Sequence, residues 1–397
     1  MSKKVAITGM GIVSSIGTTV EENYNSLLHS KHGISNISRI NTRHKNTIKV
    51  GEISLSNEEL IQQLDLPESN NYSRTALIGV IAAKQAVASA KITDKIDGRT
   101  GLISATSVGG MDKTEQYFYE FLDNEKNRKY IDGHHAGDST HKIAKQLGIT
   151  DYVTTISTAC SSSANAIMLG ARLIKAGKLD RVVVGGTDCL SKFTINGFKS
   201  LMILSDTNCT PFDEDRKGLN LGEAAAYLVL ESDEIIAKEN KKVLAYVSGY
   251  GNANDAFHQT ASSENGDGAT LAMQKALKIS GLQPEQIDYI NAHGTATSNN
   301  DLSESKALRR VFAEAVPDLS STKAFTGHTL AAAAAIEAVY AILALRHNVI
   351  FPNLNFKTAI EETGIVPVTT VKEKRIAHVL SNSFGFGGNC STLIFSK

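Results

Sequence analysis

The chain has 397 residues, 42% of them hydrophobic, which is enough to bury two domains or one large duplicated body and excludes disorder over most of its length. Lysine plus arginine and aspartate plus glutamate each number 41, so the formal charge is zero and no global field draws nucleic acid or a membrane surface. The four cysteines, Cys160, Cys189, Cys209 and Cys390, include no CxxC pair and no histidine at zinc spacing; neither a disulfide framework nor a structural metal is indicated, and a reducing cytoplasm fits.

From the start of the chain, the apolar residues between Met1 and Gly17 are broken by Thr8, Gly9, Gly11, Ser14 and Ser15, with no small-residue cleavage site behind a compact apolar core. That stretch reads as a first strand and turn, not a secretion signal. Gly9-Met10-Gly11 does not continue as GxGxxG, and no acidic ribose ligand follows, which argues against a dinucleotide site. Further strands are expected at Val5–Thr8, Thr100–Ser104, Tyr152–Ser157, Arg181–Val184, Ala226–Leu230, Leu244–Gly249, Ile287–Asn291 and Thr392–Phe395, alternating with long helical stretches. Such alternation predicts an α/β fold with covered sheets. His134, His135 and His141 lack HExxH spacing and lie in a polar stretch, so they do not make a metal motif. Leu330 to Leu345 is the most apolar later run, but it is short for a bilayer span and carries Glu337, which makes it a buried helix.

Two layouts recur. Residues 152–184 run strand, small-residue turn, helix (Ser161 to Gly177) and strand, and residues 321–351 run turn, helix (Thr329 to Arg346) and an extended Val349-Ile350-Phe351. Gly101–Gly110 and Asp288–Asn300 are each a strand ending in a loop of small or polar residues. This predicts two similar halves, 1–240 and 241–397, meeting near the charged run Glu234–Lys242.

Four clusters carry possible chemistry. In Ser157-Thr158-Ala159-Cys160-Ser161-Ser162-Ser163-Ala164 a cysteine stands where a helix begins, and a helix N-terminus favours thiolate over thiol. Asn291-Ala292-His293-Gly294-Thr295-Ala296-Thr297 places a histidine at a strand end, with the hydroxyls of Thr295 and Thr297 able to meet an amide-bearing arm. In Ser321-Thr322-Lys323-Ala324-Phe325-Thr326-Gly327-His328, a lysine and a helix start both disfavour imidazolium, so His328 is expected to be neutral and a hydrogen-bond donor at pH 7. Ser383-Phe384-Gly385-Phe386-Gly387-Gly388-Asn389 is a glycine-rich loop whose backbone can turn an N–H inward and whose phenylalanines can cover an apolar tunnel.

With these stretches, and with TGMGIVSSIG, PFDEDRKG and FHQTASSENGDG, the chain resembles the β-ketoacyl-acyl-carrier-protein synthases of type II systems over nearly its whole length. The resemblance implies a thiolase-like fold of two similar halves in α-β-α-β-α layers. It implies Cys160 as nucleophile, His293 and His328 as the catalytic pair, Lys323 beside them, Glu337 as a buried support, and an oxyanion hole from the N–H groups of Cys160 and Phe386, with Phe386 as gate. Thr295 and Thr297 match residues that hold phosphopantetheine, Phe384 falls on the substrate wall, and Val108 falls where acyl-chain depth is limited. The group implied is the carrier's phosphopantetheine; no metal and no resident cofactor is implied. The partners implied are an acyl carrier protein and a second copy or a related chain, with no nucleic acid and no membrane span.

Several positions depart from the family pattern. Ala331 and Ala334 stand for glycines, GEGAG reads Gly222-Glu223-Ala224-Ala225-Ala226, and GFGGTN ends Gly388-Asn389-Cys390. Basic residues that dock the carrier are replaced by Asn70, Asn71 and Met202, which leaves Lys126, Arg128 and Lys129 as the expected docking segment. A thiolase acting on coenzyme A thioesters and a non-catalytic chain-length partner are the alternatives. The histidine pair speaks against the first and Cys160 against the second.

Overall fold

The computed structural model describes residues 4–92 and 99–397. Ten strands form the main sheet: β1 (Val5–Val13), β2 (Thr100–Ala105), β3 (Tyr152–Ile156), β4 (Arg181–Asp188), β5 (Ala224–Ser232), β6 (Ala245–Asn254), β7 (Tyr289–Asn291), β8 (Asp318–Ser320), β9 (His378–Gly385) and β10 (Asn389–Ser396). Their order is β8-β7-β9-β10-β6-β1-β5-β4-β2-β3. Read outward from the centre, the first five run β1-β5-β4-β2-β3 and the second five β6-β10-β9-β7-β8, which is the same order. Strand directions repeat as well, antiparallel over the first two pairs of each set and parallel over the last two. The two sets join only through Ala6–Tyr246 and Ile7–Ala245, so each behaves as its own five-stranded layer.

Five helices cover these layers: α1 (Arg74–Ser89), α2 (Ser162–Lys175), α3 (Asp267–Ser280), α4 (Ser298–Phe312) and α5 (Ala333–His347). The period-two alternation of each strand sorts its side chains. On β5, Ala226, Leu228 and Leu230 join the cluster built on α2 and α5, while Ala225, Tyr227 and Val229 join α1. In the second set Val379, Leu393 and Phe395 face α2 and α5, and Leu380 and Ile394 face α3 and α4. The result is the α-β-α-β-α arrangement, with α2 and α5 as its middle layer. That position explains why α5 is apolar around its whole circumference. Leu330–His347 has the length and composition of a membrane span, yet 89% of it is buried between the sheets.

Each of the eight strands read from the sequence overlaps a strand of this sheet, three of them running one or two residues past its end, and β8 and β9 are additions. One matching of segments is corrected. The strand after α5 that corresponds to β4 is β9, whereas Val349–Ile350 pairs with Lys372–Glu373 in a separate two-stranded ribbon. A short β-branched run is extended wherever it finds a partner, and its composition does not say which.

The glycines of Gly9-Met10-Gly11 have a packing role. A Cβ on Gly11 would stand 2.1 Å from the carbonyl oxygen of Ala82 in α1, and one on Gly251 would stand 2.0 Å from that of Ala272 in α3. The first strand of each set, next to the seam between the sets, therefore touches the backbone of its outer helix. Gly11→Ala and Gly251→Ala are each expected to lower unfolding stability by about 1–3 kcal/mol, read as a lower urea midpoint. Unchanged midpoints in both would show that the helices can stand off at no cost.

Candidate active site

Cys160 lies in the turn between β3 and α2, after Ala159 with φ +52°. A left-handed alanine lifts the cysteine out of the strand line. The tip of the β9–β10 hairpin closes over it: a Cβ on Gly385 would lie 2.8 Å from Thr158 O and 3.2 Å from Cys160 N, so only glycine allows this approach. Asn389 ties the hairpin to the helix that follows Cys160, its Oδ1 accepting from Ser161 Oγ at 2.7 Å and Asn165 Nδ2 at 2.9 Å.

His293 follows β7, and its loop is held from α4. Glu304 accepts the N–H groups of His293 at 2.9 Å and Gly294 at 2.8 Å, and Asp301 accepts that of Ala296 at 3.1 Å. His328 follows the one-turn helix Lys323–Thr326, which comes after β8. Its backbone N–H donates to Asn220 O at 2.7 Å, and its Nδ1 accepts from Leu330 N–H at 3.1 Å. That last bond fixes the tautomer, leaving the proton on Nε2. The two imidazoles stand edge to face with centroids 5.4 Å apart, and Phe384 meets the His293 ring edge-on at 5.5 Å.

A cavity of about 250 Å³ opens among them, lined by Cys160, His293, His328, Thr295, Thr297, Phe384, Phe386 and Cys390, with Phe198, Ile203 and Leu219 on the apolar wall. Thr295 and Thr297 share a hydroxyl–hydroxyl contact of 2.9 Å there. Lys323 and Glu337 lie behind the wall. Lys323 Nζ donates to Glu337 Oε1 at 2.5 Å and to His293 O at 2.6 Å. Val108 is not on the lining; it packs in the apolar cluster that supplies Phe198, Ile203 and Leu219. Lys126, Arg128 and Lys129 are also away from the lining, in and beside the short helix Glu125–Arg128.

Sequence reasoning did not single out the acids that hold these loops. Asp188, at the end of β4, is buried and accepts from Ser107 N, Val108 N and Ala331 N, joining the loop after β2 to the segment after His328. Asp301 and Glu304 lie one turn apart on α4, a spacing common on solvated helix faces. The available signal was their closeness in sequence to the His293 loop. Among the described residues no group of three or more metal-ligating side chains occurs.

Burial governs the electrostatics. Both imidazoles are pushed well below the ordinary histidine value by burial, with Lys323 acting in the same direction on each and His328 adding to the effect on His293. His328 is thus neutral as expected, with burial ahead of Lys323 as the cause. Glu337 is pushed up to about 7 by burial, with Lys323 opposing. For Cys160 the helix-terminus expectation is overturned. Burial pushes the thiol up to about 11, and Lys323 and the N–H of Phe386 only partly offset it. The cysteine rests protonated. Because its thiolate fraction grows as pH rises towards that value, alkylation of Cys160 by iodoacetamide is expected to accelerate about tenfold per unit between pH 6 and 9. A plateau below pH 8 would contradict this.

Two family models match the chain, the β-ketoacyl synthase N-terminal domain over residues 2–235 and the C-terminal domain over residues 244–357. The 3-oxoacyl-[acyl-carrier-protein] synthase 2 of Staphylococcus aureus (strain N315) is 33% identical over 411 residues, covering 100% of this chain and 99% of the relative. Among solved structures, the ishigamide ketosynthase/chain length factor superposes with a TM-score of 0.93 at 31% identity, covering 100% of both chains. The ketosynthase of Xenorhabdus doucetiae in complex with its chain length factor gives 0.88 at 31%, covering 99% of this chain and 98% of that one. The chain belongs to the β-ketoacyl synthase family.

Proposed function

We propose that the chain is a β-ketoacyl-acyl-carrier-protein synthase that condenses an acyl group held on Cys160 with a malonyl group held on a carrier protein. The observation that carries this reading is the meeting of the Cys160 thiol and two neutral imidazoles on a single cavity. The curated relative's name, an acyl-carrier-protein synthase, supports the carrier-borne substrate.

In the first step Cys160 loses its proton and attacks the thioester carbonyl of the acyl carrier. The oxyanion is received by the N–H groups of Cys160 and Phe386, and the carrier thiolate leaves, taking up a proton. In the second, the carboxylate of malonyl carrier departs as carbon dioxide and its electron pair passes into an enolate. His293 and His328, uncharged, donate hydrogen bonds to the enolate oxygen, His328 through Nε2–H. The enolate carbon attacks the Cys160 thioester, the cysteine thiolate leaves, and a β-ketoacyl chain two carbons longer remains on the carrier. Lys323, through Glu337 and the His293 carbonyl, keeps both rings from taking a proton. Thr295 and Thr297 receive the phosphopantetheine arm, which arrives on the carrier; Phe384 and Phe386 wall and gate the acyl tunnel, and Val108 sets its depth from behind.

A thiolase reading would use a second cavity thiol as acid and base. Cys390 does reach the wall, but burial, with Asp255 and Glu304 adding, holds its thiol far above the ordinary range. We place the two halves at 1–240 and 241–397, the protein in the cytoplasm, and the assembly as a dimer with itself or with a related chain, in line with the two structural relatives that are ketosynthases with a chain length factor.

Cys160→Ala is expected to abolish acyl transfer from carrier protein, followed by intact mass. His293→Ala and His328→Ala should still form the acyl-enzyme yet slow release of carbon dioxide from malonyl carrier by about 10²–10³-fold. Normal condensation by the Cys160 variant, or carbon dioxide release at the original rate by both histidine variants, would refute the assignment.

A further inference from the structure

The stretch Pro211-Phe212-Asp213-Glu214-Asp215-Arg216-Lys217-Gly218 has no part in the chemistry above, yet it lies against the loop that carries Thr295 and Thr297. It is anchored from behind. Asn353 Nδ2 donates to Pro211 O at 3.0 Å, and Asp213 accepts the N–H groups of Lys357 at 2.6 Å and Thr358 at 3.0 Å. From this base the half-buried Arg216 reaches forward, and all three of its guanidinium nitrogens donate to backbone carbonyls. Nη1 meets Asp213 O at 2.9 Å, Nε meets Thr297 O at 3.3 Å and Nη2 meets Ser298 O at 2.7 Å. Gly218 N–H adds a bond to Ala296 O at 3.0 Å.

The loop held in this way needs support. Ala296, between the two threonines, has φ +66°, a left-handed conformation that a residue other than glycine keeps only where its surroundings hold it. Ser298 opens α4, and a guanidinium beside the positive end of a helix works against the helix dipole, so helix stability does not account for Arg216. What its bonds fix is Thr297, whose hydroxyl stays on the cavity wall, 2.9 Å from that of Thr295. Arginine suits the task because its planar fork bridges two successive carbonyls; a lysine ammonium on a flexible stem cannot hold both in one geometry.

We propose that Arg216 is a positioning residue for the phosphopantetheine arm: by bridging the carbonyls of Thr297 and Ser298 it keeps the Thr297 hydroxyl where the amides of the arm pass, without touching the reacting thioester. The inference rests on the reading that Thr295 and Thr297 receive the arm.

The test follows acylation of Cys160 by intact mass, using the full chain with hexanoyl-pantetheine and with S-ethyl thiohexanoate, which carries the thioester and neither amide of the arm. The ratio of the two second-order rate constants does not depend on how much of a variant is folded, so a merely structural defect leaves it unmoved. Arg216→Met and Arg216→Lys are each expected to lower this ratio about three- to tenfold, and Thr297→Ala by a similar factor. Because the arginine acts through Thr297, adding Arg216→Lys to Thr297→Ala should lower the ratio less than about twofold further. The positioning role is overturned if either arginine variant keeps the wild-type ratio, or if the arginine and threonine losses multiply in the double variant. A wild-type ratio in Thr297→Ala would instead sink the reading of the arm site, and the role of Arg216 with it.

Discussion

A buried ammonium sets the terms for the site. Lys323 is 2% exposed, and its Nζ has two close partners, the Glu337 carboxylate and the backbone carbonyl of His293. Taking one partner from a buried ion pair costs about 3–5 kcal/mol, because the charge left behind has no water to turn to. The pair therefore pins the His293 loop to α5. It also explains the single acid in a helix otherwise apolar on every side: Glu337 is tolerated in the middle layer because Lys323 comes in from the adjoining turn to meet it. Fold and chemistry share this contact, since the same positive charge discourages a proton on either imidazole.

Burial then acts on both signs of charge at once. It raises the Cys160 thiol to about 11 and lowers both histidines, so the thiol and the imidazoles all rest uncharged. Such a cavity does not stabilise a resting charge. On the proposed mechanism it holds oriented N–H donors where negative charge forms, on the thioester oxygen in acyl transfer and on the enolate oxygen after decarboxylation. Donors of this kind, already in place and shielded from water, lower the barrier more than the same donors in bulk solvent. The protonated cysteine fits that logic, because a permanent thiolate beside the incoming malonyl carboxylate would oppose its binding.

Much of this was legible in the sequence, for a physical reason. Cys160, His293, Lys323 and His328 stand in turns among small residues, where a reactive side chain is chemically out of place. The acids that position them were not legible. Asp188 sits at the end of a buried strand and Asp301 and Glu304 on an amphipathic helix, and an acid in either setting looks like a solvated residue until its backbone donors are seen. The thiolate expectation failed because a helix terminus offers a fraction of a charge, whereas full desolvation works against the whole thiolate. Strand β9 was hidden because its end, Ser383 to Gly385, was taken with the glycines that follow as one loop, although the turn proper is confined to Phe386, Gly387 and Gly388.

The repeated strand order gives these observations a common geometry. Strands β3 and β8 occupy the same outer place in their respective sets, and each leads into a turn followed by a helix of the middle layer. Cys160 follows the first and His328 the second, so the thiol and one imidazole sit on corresponding turns. Strands β2 and β7 correspond in the same way, and they lead to Val108 and His293. Parallel strands open their ligand-binding crevices at their carboxyl ends, so duplicating such a sheet brings two sets of loops to face each other across α2 and α5. One set carries the Cys160 thiol and Val108, and the other carries both imidazoles. A single half has only part of this equipment, so the chemistry depends on how the two layers are packed together. The short contact between β1 and β6 is too small to fix that packing, and the apolar middle layer with its one ion pair does so instead.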